Sequence, residues 1–471
     1  MKKTKIICTL GPASDNEKTI TAMAKAGMNV ARINVSHGSH EEHAKKIAAV
    51  KRVREKLGMP IALLLDTKGP EFRIKTFKNG KVTLREGDTF AFTTEDIVGD
   101  ETQVAVSYKG VCEEMQAGDT ILLNNGLMVF EVEKVESPKV ICKVVIGGEV
   151  SDRKSMFFPD KEFKMTYLSE QDKKDLVYGI EQDVDFIACS FVSKAQDIVE
   201  VREFLKANNA PDDIDLIAKI ENRAGVNNLK DILAVADGIM IGRGDLGVEI
   251  PYEELPDVQK QIINECRRVG KRCITATEML ESMITNRRPT RAEISDVANA
   301  VYDGTSAVML SGETAAGHYP VETVEAMSRI VMRAEQNPIF MQLLESNEYV
   351  IKNENEALSH AACTLANDIN AKALVVCTRT GTSAKTVSRF RPRPEIIAMT
   401  TNERSYRKLA LSWGVYPMLS DEYHSVDVLF HFAKCAAKDS GLVKKGDIVV
   451  ITGGTPNGKS GNSDLINIAT I

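Results

Sequence analysis

Charged side chains follow a short apolar run at the point where a buried strand should end. Residues 216–218 have the composition of a buried parallel strand, and Lys219 and Glu221 come directly after them. The next apolar run, 239–241, is followed by a second carboxylate, Asp245. A lysine offers a mobile cation for phosphate, and carboxylate oxygens are ligands that Mg²⁺ prefers. The pattern predicts a metal site facing a phosphate, and the alternative is a surface lysine paired with a glutamate.

Polar side chains also follow the other predicted strands. They are Arg32, Asn34, Ser36 and His37 after the second strand, Asp66, Thr67 and Arg73 after the third, Thr277 after the seventh and Ser311 after the eighth; after the sixth, Gly244 offers its backbone amide. In α/β enzymes the carboxyl ends of the strands carry the chemistry. A series of polar strand ends is hard to explain by structural needs alone, so we expect these residues to meet in one site.

The elements that must position these residues alternate between strand and helix patterns. Capping-box motifs at 14–17, 39–42 and 290–293 mark helix starts. The apolar strand runs are 6–8, 28–31, 61–65, 184–188, 216–218, 238–241, 272–275 and 307–310. Eight strand–helix units of this length predict an α/β fold, a (β/α)8 TIM barrel built from residues 1–70 and 168–343.

Two further segments interrupt or follow the barrel pattern. Residues 71–167 lack helical periodicity and show short β runs separated by turn pairs such as Asn79-Gly80, which predicts an inserted small β-barrel domain. Its position after the third strand, at the carboxyl end of the barrel, suits a lid. Residues 344–471 return to strand–helix alternation, with strands expected at 374–377, 396–399, 415–418 and 448–451. We expect a C-terminal α/β regulatory domain there.

Bulk composition excludes several classes of protein. The 471 residues carry a formal net charge of −6, so nucleic-acid binding is not expected. No apolar stretch is long enough to span a bilayer, and the N-terminus lacks the apolar core of a signal peptide. The nine cysteines form no C-x-x-C pair. These features predict a cytoplasmic protein with reduced thiols, without membrane or nucleic-acid partners.

Seven sequence motifs resemble those of the pyruvate kinase family, in order and along the whole chain. They are residues 32–38, 65–73, 218–222, 242–251, 275–280, 288–293 and 308–313. The resemblance implies phosphoryl transfer from phosphoenolpyruvate to ADP, giving pyruvate and ATP in the last step of glycolysis. It also implies Mg²⁺ (or Mn²⁺) and K⁺ as cofactors and a homotetramer. We expect a bacterial member without the additional C-terminal phosphohistidine-type domain of some relatives.

The resemblance also implies roles for the residues at the strand ends. Glu221 and Asp245 would hold Mg²⁺, and Asp245 would also contact the substrate. Lys219 would bridge the phosphoryl group in transfer, while Arg32 would bind the substrate phosphate. Phosphoryl transfer depends mainly on positioning and charge neutralisation, so these groups suffice without a covalent intermediate.

Further roles implied by the family concern the carboxylate, the proton and the second substrate. Gly244 and Thr277 would hold the substrate carboxylate, and Thr277 and Ser311 would lie on the water route that protonates the enolate. The ligands of K⁺ would be Asn34, Ser36, Asp66 and Thr67. The residues facing ADP would be Asn34, His37, Arg73 and Lys154. The run around Lys154 departs from the family pattern. A glutamate at the position of Glu71 accompanies K⁺ dependence in the family.

A possible regulatory site lies in the C-terminal domain. Residues 378–385 follow a predicted strand and open a helix, where backbone amides favour an anion. The candidate effector-binding residues are Thr378, Thr380, Gly381, Thr382, Ser383, Lys385 and, in a glycine-rich loop near the C-terminus, Gly458. The resemblance favours fructose 1,6-bisphosphate as the sugar-phosphate effector. A sugar monophosphate or AMP is the alternative ligand, and two ordinary surface loops are the alternative structure.

Two other functions compete with the kinase. One is a barrel aldolase that uses Lys219 as a Schiff-base amine, which would require apolar surroundings for the lysine. Glu221, two residues away, would instead keep the lysine charged. The other is a sugar-phosphate sensor with an inert barrel, against which the complete set of polar strand ends argues.

Overall fold

The structure of the chain is a computed structural model that describes residues 2–159, 161, 163–164, 166–338, 340, 349–455 and 463–471. Among these residues, no helix has both the length and the apolar character needed to cross a membrane.

The strands belong to a barrel, an inserted domain and a C-terminal domain. In chain order they are β1 Lys5–Thr9, β2 Val30–Asn34, β3 Ala62–Asp66, β4 Phe72–Arg73, β5 Lys81–Leu84, β6 Thr89–Thr93, β7 Gln103–Ala105, β8 Thr120–Leu123, β9 Met128–Glu136, β10 Lys139–Ile146, β11 Gly148–Ser151, β12 Ser155–Phe157, β13 Phe186–Cys189, β14 Asp215–Ile220, β15 Gly238–Gly242, β16 Arg272–Ala276, β17 Ala307–Leu310, β18 Ala373–Cys377, β19 Glu395–Thr400, β20 Val415–Leu419, β21 Ile448–Gly453 and β22 Leu465–Thr470.

The helices lie mainly between the strands of the barrel and of the C-terminal sheet. In chain order they are α1 Glu17–Ala26, α2 His40–Leu57, α3 Val111–Glu114, α4 Glu170–Glu181, α5 Ala195–Ala207, α6 Arg223–Asn227, α7 Leu229–Val235, α8 Arg243–Glu249, α9 Leu255–Val269, α10 Arg291–Asp303, α11 Gly312–Ala315, α12 Pro320–Glu335, α13 Glu354–Asp368, α14 Thr382–Arg389, α15 Glu403–Leu409 and α16 Val426–Asp439. Short 3₁₀ turns occupy Tyr252–Glu254 and Glu281–Ile284.

The predicted (β/α)8 barrel is confirmed. The strands close in the order β1-β17-β16-β15-β14-β13-β3-β2, and every neighbouring pair is parallel. Residues such as Ile7, Leu64 and Phe186 fill the interior of the barrel, and a larger apolar cluster lies between the strands and the surrounding helices. Burial on both faces explains why the strands read as continuous apolar runs. All eight carboxyl ends therefore open onto one face.

The inserted domain, predicted to be a small β-barrel, is an all-β domain built on one curled sheet. The strand order is β4-β12-β8-β9-β10-β6-β7, and β11 pairs with β5 in a separate ribbon. An antiparallel bridge between Ile74 and Val106, with hydrogen bonds from Lys75 to Ala105 and from Ser107 to Arg73, joins the two outer strands. The sequence did not reveal β4, β7, β11 and β12, because runs of two to four residues carry too little periodicity to identify.

The C-terminal domain contains the parallel sheet that was predicted, in the order β20-β19-β18-β21-β22. The four expected strands are present, and β22 adds an antiparallel edge that sequence analysis missed. The alternating exposure of β22, with Ile468 exposed and Ala469 buried, made it a weaker signal than the buried strands.

Candidate active site

A cavity of about 240 Å³ opens at the carboxyl ends of the barrel strands. It brings together most of the residues that the sequence singled out for catalysis. Those lining the cavity are Arg32, Asn34, Ser36, His37, Asp66, Arg73, Lys219, Glu221, Asp245 and Thr277. Gly244 lies against Thr277, whereas Thr67, Ser311 and Lys154 do not line the cavity.

Lys219 is the centre of a buried polar network. Its Nζ lies 3.0 Å from Glu221 Oε1 and 3.2 Å from Asp66 Oδ1, and it donates a 2.7 Å hydrogen bond to Ser190 Oγ. Burial opposes the charge on the lysine, but Asp66 and Glu221 outweigh it and raise the pKa of Lys219. The amine is therefore held as a cation, which suits a phosphoryl group and does not suit the neutral nucleophile of an aldolase.

Asp66 is the shared counter-ion of two cations. Its Oδ2 accepts a 2.6 Å hydrogen bond from Arg32 Nε, while its Oδ1 faces Lys219. Arg32 also donates to Thr9 Oγ1, at 2.8 Å. Burial would raise the pKa of Asp66, but Arg32 and Lys219 outweigh burial and lower it. Arg32 has five N–H donors and uses two of them in these contacts, so the others can face a ligand in the cavity.

Glu221 and Asp245 form the pair of carboxylates expected to hold Mg²⁺. Glu221 Oε2 accepts a 2.9 Å hydrogen bond from the backbone of Phe191. Burial and the neighbouring charge of Glu221 raise the pKa of Asp245 to about 7. A divalent cation between the two carboxylates would relieve this repulsion, so the donor set fits Mg²⁺. Within the described chain no group of three or more metal-binding side chains occurs, and Mg²⁺ commonly takes its remaining ligands from substrate and water.

The residues predicted to hold K⁺ lie at the adjacent ends of β2 and β3. Asn34, Ser36 and Asp66 line the cavity, and Asn34 Oδ1 accepts a 3.0 Å hydrogen bond from the backbone of Ser36. Thr67 lies just behind, and its carbonyl accepts a 2.7 Å hydrogen bond from Ser190 Oγ. This all-oxygen set fits a hard monovalent cation.

Thr277 has a strained backbone at the edge of the cavity. Its φ of 67° is rare for a β-branched residue, and its Oγ1 accepts a 2.8 Å hydrogen bond from the backbone of Gly244. Arg243 donates to the carbonyl of Thr277 and forms an ion pair with Asp296 at 2.7 Å. Arg243 stands in one of the motifs, but no role was predicted for it. Its contacts show that it fixes the loop that presents Thr277 and Gly244.

Ser311 lies beneath the cavity rather than on its wall. Its backbone donates to Glu313 Oε2 at 2.6 Å, and its buried hydroxyl has no hydrogen-bond partner among the described residues. Burial raises the pKa of Glu313, which also accepts from the backbone of Leu280. Glu313 thus joins the loops after β16 and β17.

The inserted domain contributes to the cavity through β4 and β12. Arg73 forms an ion pair with Glu71 at 2.7 Å, and Ser155 donates to the same carboxylate at 2.6 Å. Ser155 lines the cavity, whereas Lys154, its neighbour in the chain, does not. The role of Lys154 toward ADP stays a prediction.

The two chain segments that join the inserted domain to the barrel, near Gly69 and near Tyr167, both contact Ser190. Gly69 has φ +68°, and a Cβ there would lie only 2.6 Å from the carbonyl oxygen of Ser190. Gly69 donates to Asp172 Oδ1 at 3.0 Å, while the hydroxyl of Tyr167 donates to the carbonyl of Ser190 at 2.7 Å. Both connections therefore converge on Ser190, which also contacts Lys219.

Ser190 and Phe191 were not predicted as site residues. Both line the cavity, and Phe191 has φ +55°, which turns its backbone amide toward Glu221. The available signal was the change from the apolar run before Cys189 to a serine, at the same carboxyl edge as the other candidates.

The predicted effector residues surround the start of α14. Thr378 Oγ1 accepts a 3.0 Å hydrogen bond from Gly381, and the hydroxyls of Thr380 and Thr382 lie 2.9 Å apart. Ser383 accepts a 2.9 Å hydrogen bond from Ser463. Lys385 instead faces Asp215 of the barrel, at 3.8 Å. Gly458 lies outside the described residues.

Comparisons with known proteins agree with this architecture. A family model for "Pyruvate kinase, barrel domain" matches residues 1–324, and one for "Pyruvate kinase, alpha/beta domain" matches residues 356–469. A pyruvate kinase of Clostridium acetobutylicum is 44% identical over the full length of both chains. One of Geobacillus stearothermophilus is also 44% identical, over 100% of this chain and 80% of its own.

A solved structure gives the same result at the level of the fold. A crystal structure of a pyruvate kinase from Cryptosporidium parvum superposes with a TM-score of 0.93 at 35% identity, over 100% of this chain and 96% of the other. The barrel that carries the lysine and carboxylate network is thus matched by one family model, and the C-terminal domain is matched by the other. The chain belongs to the pyruvate kinase family and is a phosphotransferase.

Proposed function

We propose that the enzyme transfers the phosphoryl group of phosphoenolpyruvate to ADP, as the last step of glycolysis. The observation that carries this proposal is the position of Lys219, held as a cation between Asp66, Glu221 and Ser190 at the mouth of the barrel. A cationic, immobilised amine can neutralise charge on a phosphoryl group in transfer without reorganising. The family relationship supports the identity of both substrates.

The family relationship suggests roles for the surrounding residues, and their geometry supports these roles. Arg32 would bind the substrate phosphate through the guanidinium nitrogens that do not face Asp66. The backbone of Gly244, oriented by Thr277, would hold the carboxylate of phosphoenolpyruvate. Glu221 and Asp245 would hold Mg²⁺, which when bound neutralises negative charge on the substrate oxygens. Asn34 and Ser36, with Asp66 and Thr67, would hold K⁺.

The inserted domain would act as a lid. Arg73 would face ADP from β4, at the wall that Glu71 and Ser155 already form with the barrel. His37 is exposed and lines the cavity, where it would contact the nucleotide, and Lys154 would approach on closure. Closure would exclude water from the phosphoryl group and so suppress hydrolysis.

A coupled assay for pyruvate tests the proposal directly. The expected result is pyruvate release that requires phosphoenolpyruvate, ADP and a divalent cation together, with strong activation by K⁺ over Na⁺. Release of pyruvate without ADP, or no release, would reject phosphoryl transfer. Borohydride treatment with pyruvate should leave Lys219 unmodified, since a trapped adduct would favour the aldolase.

The start of α14 supports allosteric activation by a sugar phosphate, with fructose 1,6-bisphosphate as the first candidate and a sugar monophosphate or AMP as alternatives. Backbone amides and the hydroxyls of Thr378, Thr380 and Thr382 converge there. Phosphoenolpyruvate titrations with each ligand test this: an activator shifts the curve to lower substrate concentration. Acidic substitutions of Thr380 and Ser383 should abolish the shift without changing the rate at saturating substrate.

The remaining proposals concern the setting of the enzyme. All nine cysteines are free thiols, which supports a reducing, cytoplasmic location. The family relationship supports a homotetramer, which the sedimentation coefficient of the purified protein would test.

A further inference from the structure

A second polar cavity lies between the barrel and the C-terminal domain, away from the active site. Its volume is about 190 Å³. The barrel contributes Arg267, Lys271 and Arg272, and the C-terminal domain contributes three further cations and Trp413 from the segment after α15. Among the described residues, the lining contains six basic side chains and two acidic ones, Asp237 and Glu356. The lining thus carries an excess of positive charge in a partly enclosed space.

Three of these cations have carboxylate counter-ions. Arg272 Nη1 lies 2.5 Å from Asp215, and Lys385 is 3.8 Å from the same carboxylate. Arg389 is paired with Glu356 at 3.0 Å. Arg391 is different: it is 5% exposed, and its Nε and Nη1 have no hydrogen-bond partner in the described part of the chain. Buried N–H donors without acceptors are costly unless a ligand supplies the acceptors.

The backbone and the packing hold Arg391 in place. Its φ of 50° lies in the left-handed region, which a non-glycine residue adopts only when its surroundings enforce it. Its guanidinium stacks 4.5 Å from the ring of Trp413 and donates through Nη2 to the carbonyl of Gly304, at 3.0 Å. Burial and the charge of Arg267 lower the pKa of Arg391 to about 9. The side chain is therefore oriented in advance and electrostatically strained.

We propose that this cavity binds a phosphate-bearing small molecule that bridges Arg391 of the C-terminal domain to Arg267 and Lys271 of the barrel. A phosphate presents several separate oxygen atoms to converging donors, whereas a chloride ion presents a single atom. The hydroxyls of Ser306, Thr386 and Ser412 add neutral donors around the same space. By joining two domains, the bound anion stabilises one relative arrangement of them.

Of the candidate effector residues, only Thr382 and Lys385 also line this cavity. Thr382, Lys385, Thr386 and Arg389 recur at helical spacing on the face of α14 that lines the cavity. Ser383 lies on another face, where it contacts Ser463 beside β22. The inference therefore does not depend on a sugar phosphate at the start of α14, nor on the chemistry in the barrel.

Trp413 makes the proposal directly measurable, because it is the only tryptophan of the chain and lines the cavity. Its fluorescence would be titrated in the absence of substrates with inorganic phosphate and, separately, with glycerol 3-phosphate. Potassium chloride at equal ionic strength and glycerol serve as controls. A saturable change with phosphate that the ester does not improve identifies free phosphate as the occupant. Tighter saturation by the ester identifies a phosphorylated metabolite. No change beyond the chloride control with either probe overturns the proposal.

Variants distinguish this cavity from other anion sites. Arg391→Met alters the C-terminal side of the cavity, and Lys271→Met alters the barrel side. Each substitution should raise the dissociation constant of phosphate by about 10-fold or more, the usual effect of losing a charge-assisted hydrogen bond. Arg393→Met is the matched control, because Arg393 is exposed and does not line the cavity. If Arg391→Met fails to fold, Lys271→Met decides. Unchanged dissociation constants in Lys271→Met, or equal weakening in the Arg393 control, would refute the site.

Discussion

Replacing Lys219 with Met removes the central charge of the barrel network while keeping the length of the side chain. The structure indicates two separate consequences, because Nζ contacts Asp66 at 3.2 Å and Glu221 at 3.0 Å in a buried environment. First, kcat should fall, because the cation that bridges the phosphoryl group is lost. Second, the free energy of unfolding should fall, because two buried carboxylates lose a counter-ion.

The magnitudes of the two effects differ. One well-placed charge or donor is typically worth about 3–4 kcal/mol in the transition state, so kcat should fall by about 10²–10³-fold or more. Removing one partner of a buried ion pair costs about 3–5 kcal/mol. Asp66 keeps Arg32 and Glu221 keeps the amide of Phe191, so we expect the free energy of unfolding to fall by about 3 kcal/mol, the lower end of that range.

The assay should measure both effects on the same protein. Initial rates of pyruvate formation give kcat, calorimetric titration gives the dissociation constant of phosphoenolpyruvate, and urea unfolding gives stability. Binding of phosphoenolpyruvate should weaken far less than kcat falls. Lys18→Met, on the exposed face of α1, is the control for loss of a lysine. A Lys219→Met enzyme that retains a tenth of the parent's turnover would show that Lys219 does not bridge the phosphoryl group.

Three other substitutions test separate parts of the structure. Ser190→Ala removes the hydroxyl that accepts from Lys219 and donates to the carbonyl of Thr67, and should lower kcat by about 10-fold with little change in the thermal midpoint; an unchanged kcat would contradict a positioning role. Glu71→Lys should abolish the K⁺ dependence of the initial rate, and continued K⁺ activation would argue against the proposed role of Glu71. Burial opposes ionisation of Asp215, but Lys385, Arg272 and Lys408 outweigh it and lower its pKa. The stability advantage of the parent over Asp215→Asn should therefore be constant at neutral pH and shrink as the pH falls below about 4, where the unfolded carboxyl protonates first; a thermal-shift series that shows no such decline would refute this.

The barrel could be predicted because its strands are buried on both faces and its helices carry local start signals. Capping boxes at Ser39 and Thr290 are present as expected, but the one predicted at 14–17 is wrong, because Asn16 caps α1 by accepting from the backbone of Thr19. The clustering of Lys219 with Asp66 could also be anticipated, since topology alone brings the ends of parallel strands to one face. Resemblance to a family supplied the individual roles, which composition and spacing would not have distinguished.

Other features depend on three-dimensional contacts that leave no periodic signal. The left-handed backbones of Thr277 and Phe191 follow from surrounding loops, not from their own residue types. Arg243 acts on Thr277 through a carbonyl, a contact available to any backbone position. Lys385 was assigned to the effector loop from its place in the sequence, but helical spacing turns it toward Asp215. In each case orientation, rather than identity, decided the outcome.

The arrangement around Asp66 explains how one site can hold two cations close together before any substrate is bound. Arg32 and Lys219 would repel each other in a buried cavity, and Asp66 accepts from both through different oxygens. Their positions are therefore set without the phosphate, which lowers the reorganisation needed when charge develops in the transition state. The same carboxylate offsets part of their positive charge. An additional cation beside Asn34 and Ser36 would restore the positive potential at the phosphoryl group. This gives a physical reason for the K⁺ dependence that we propose.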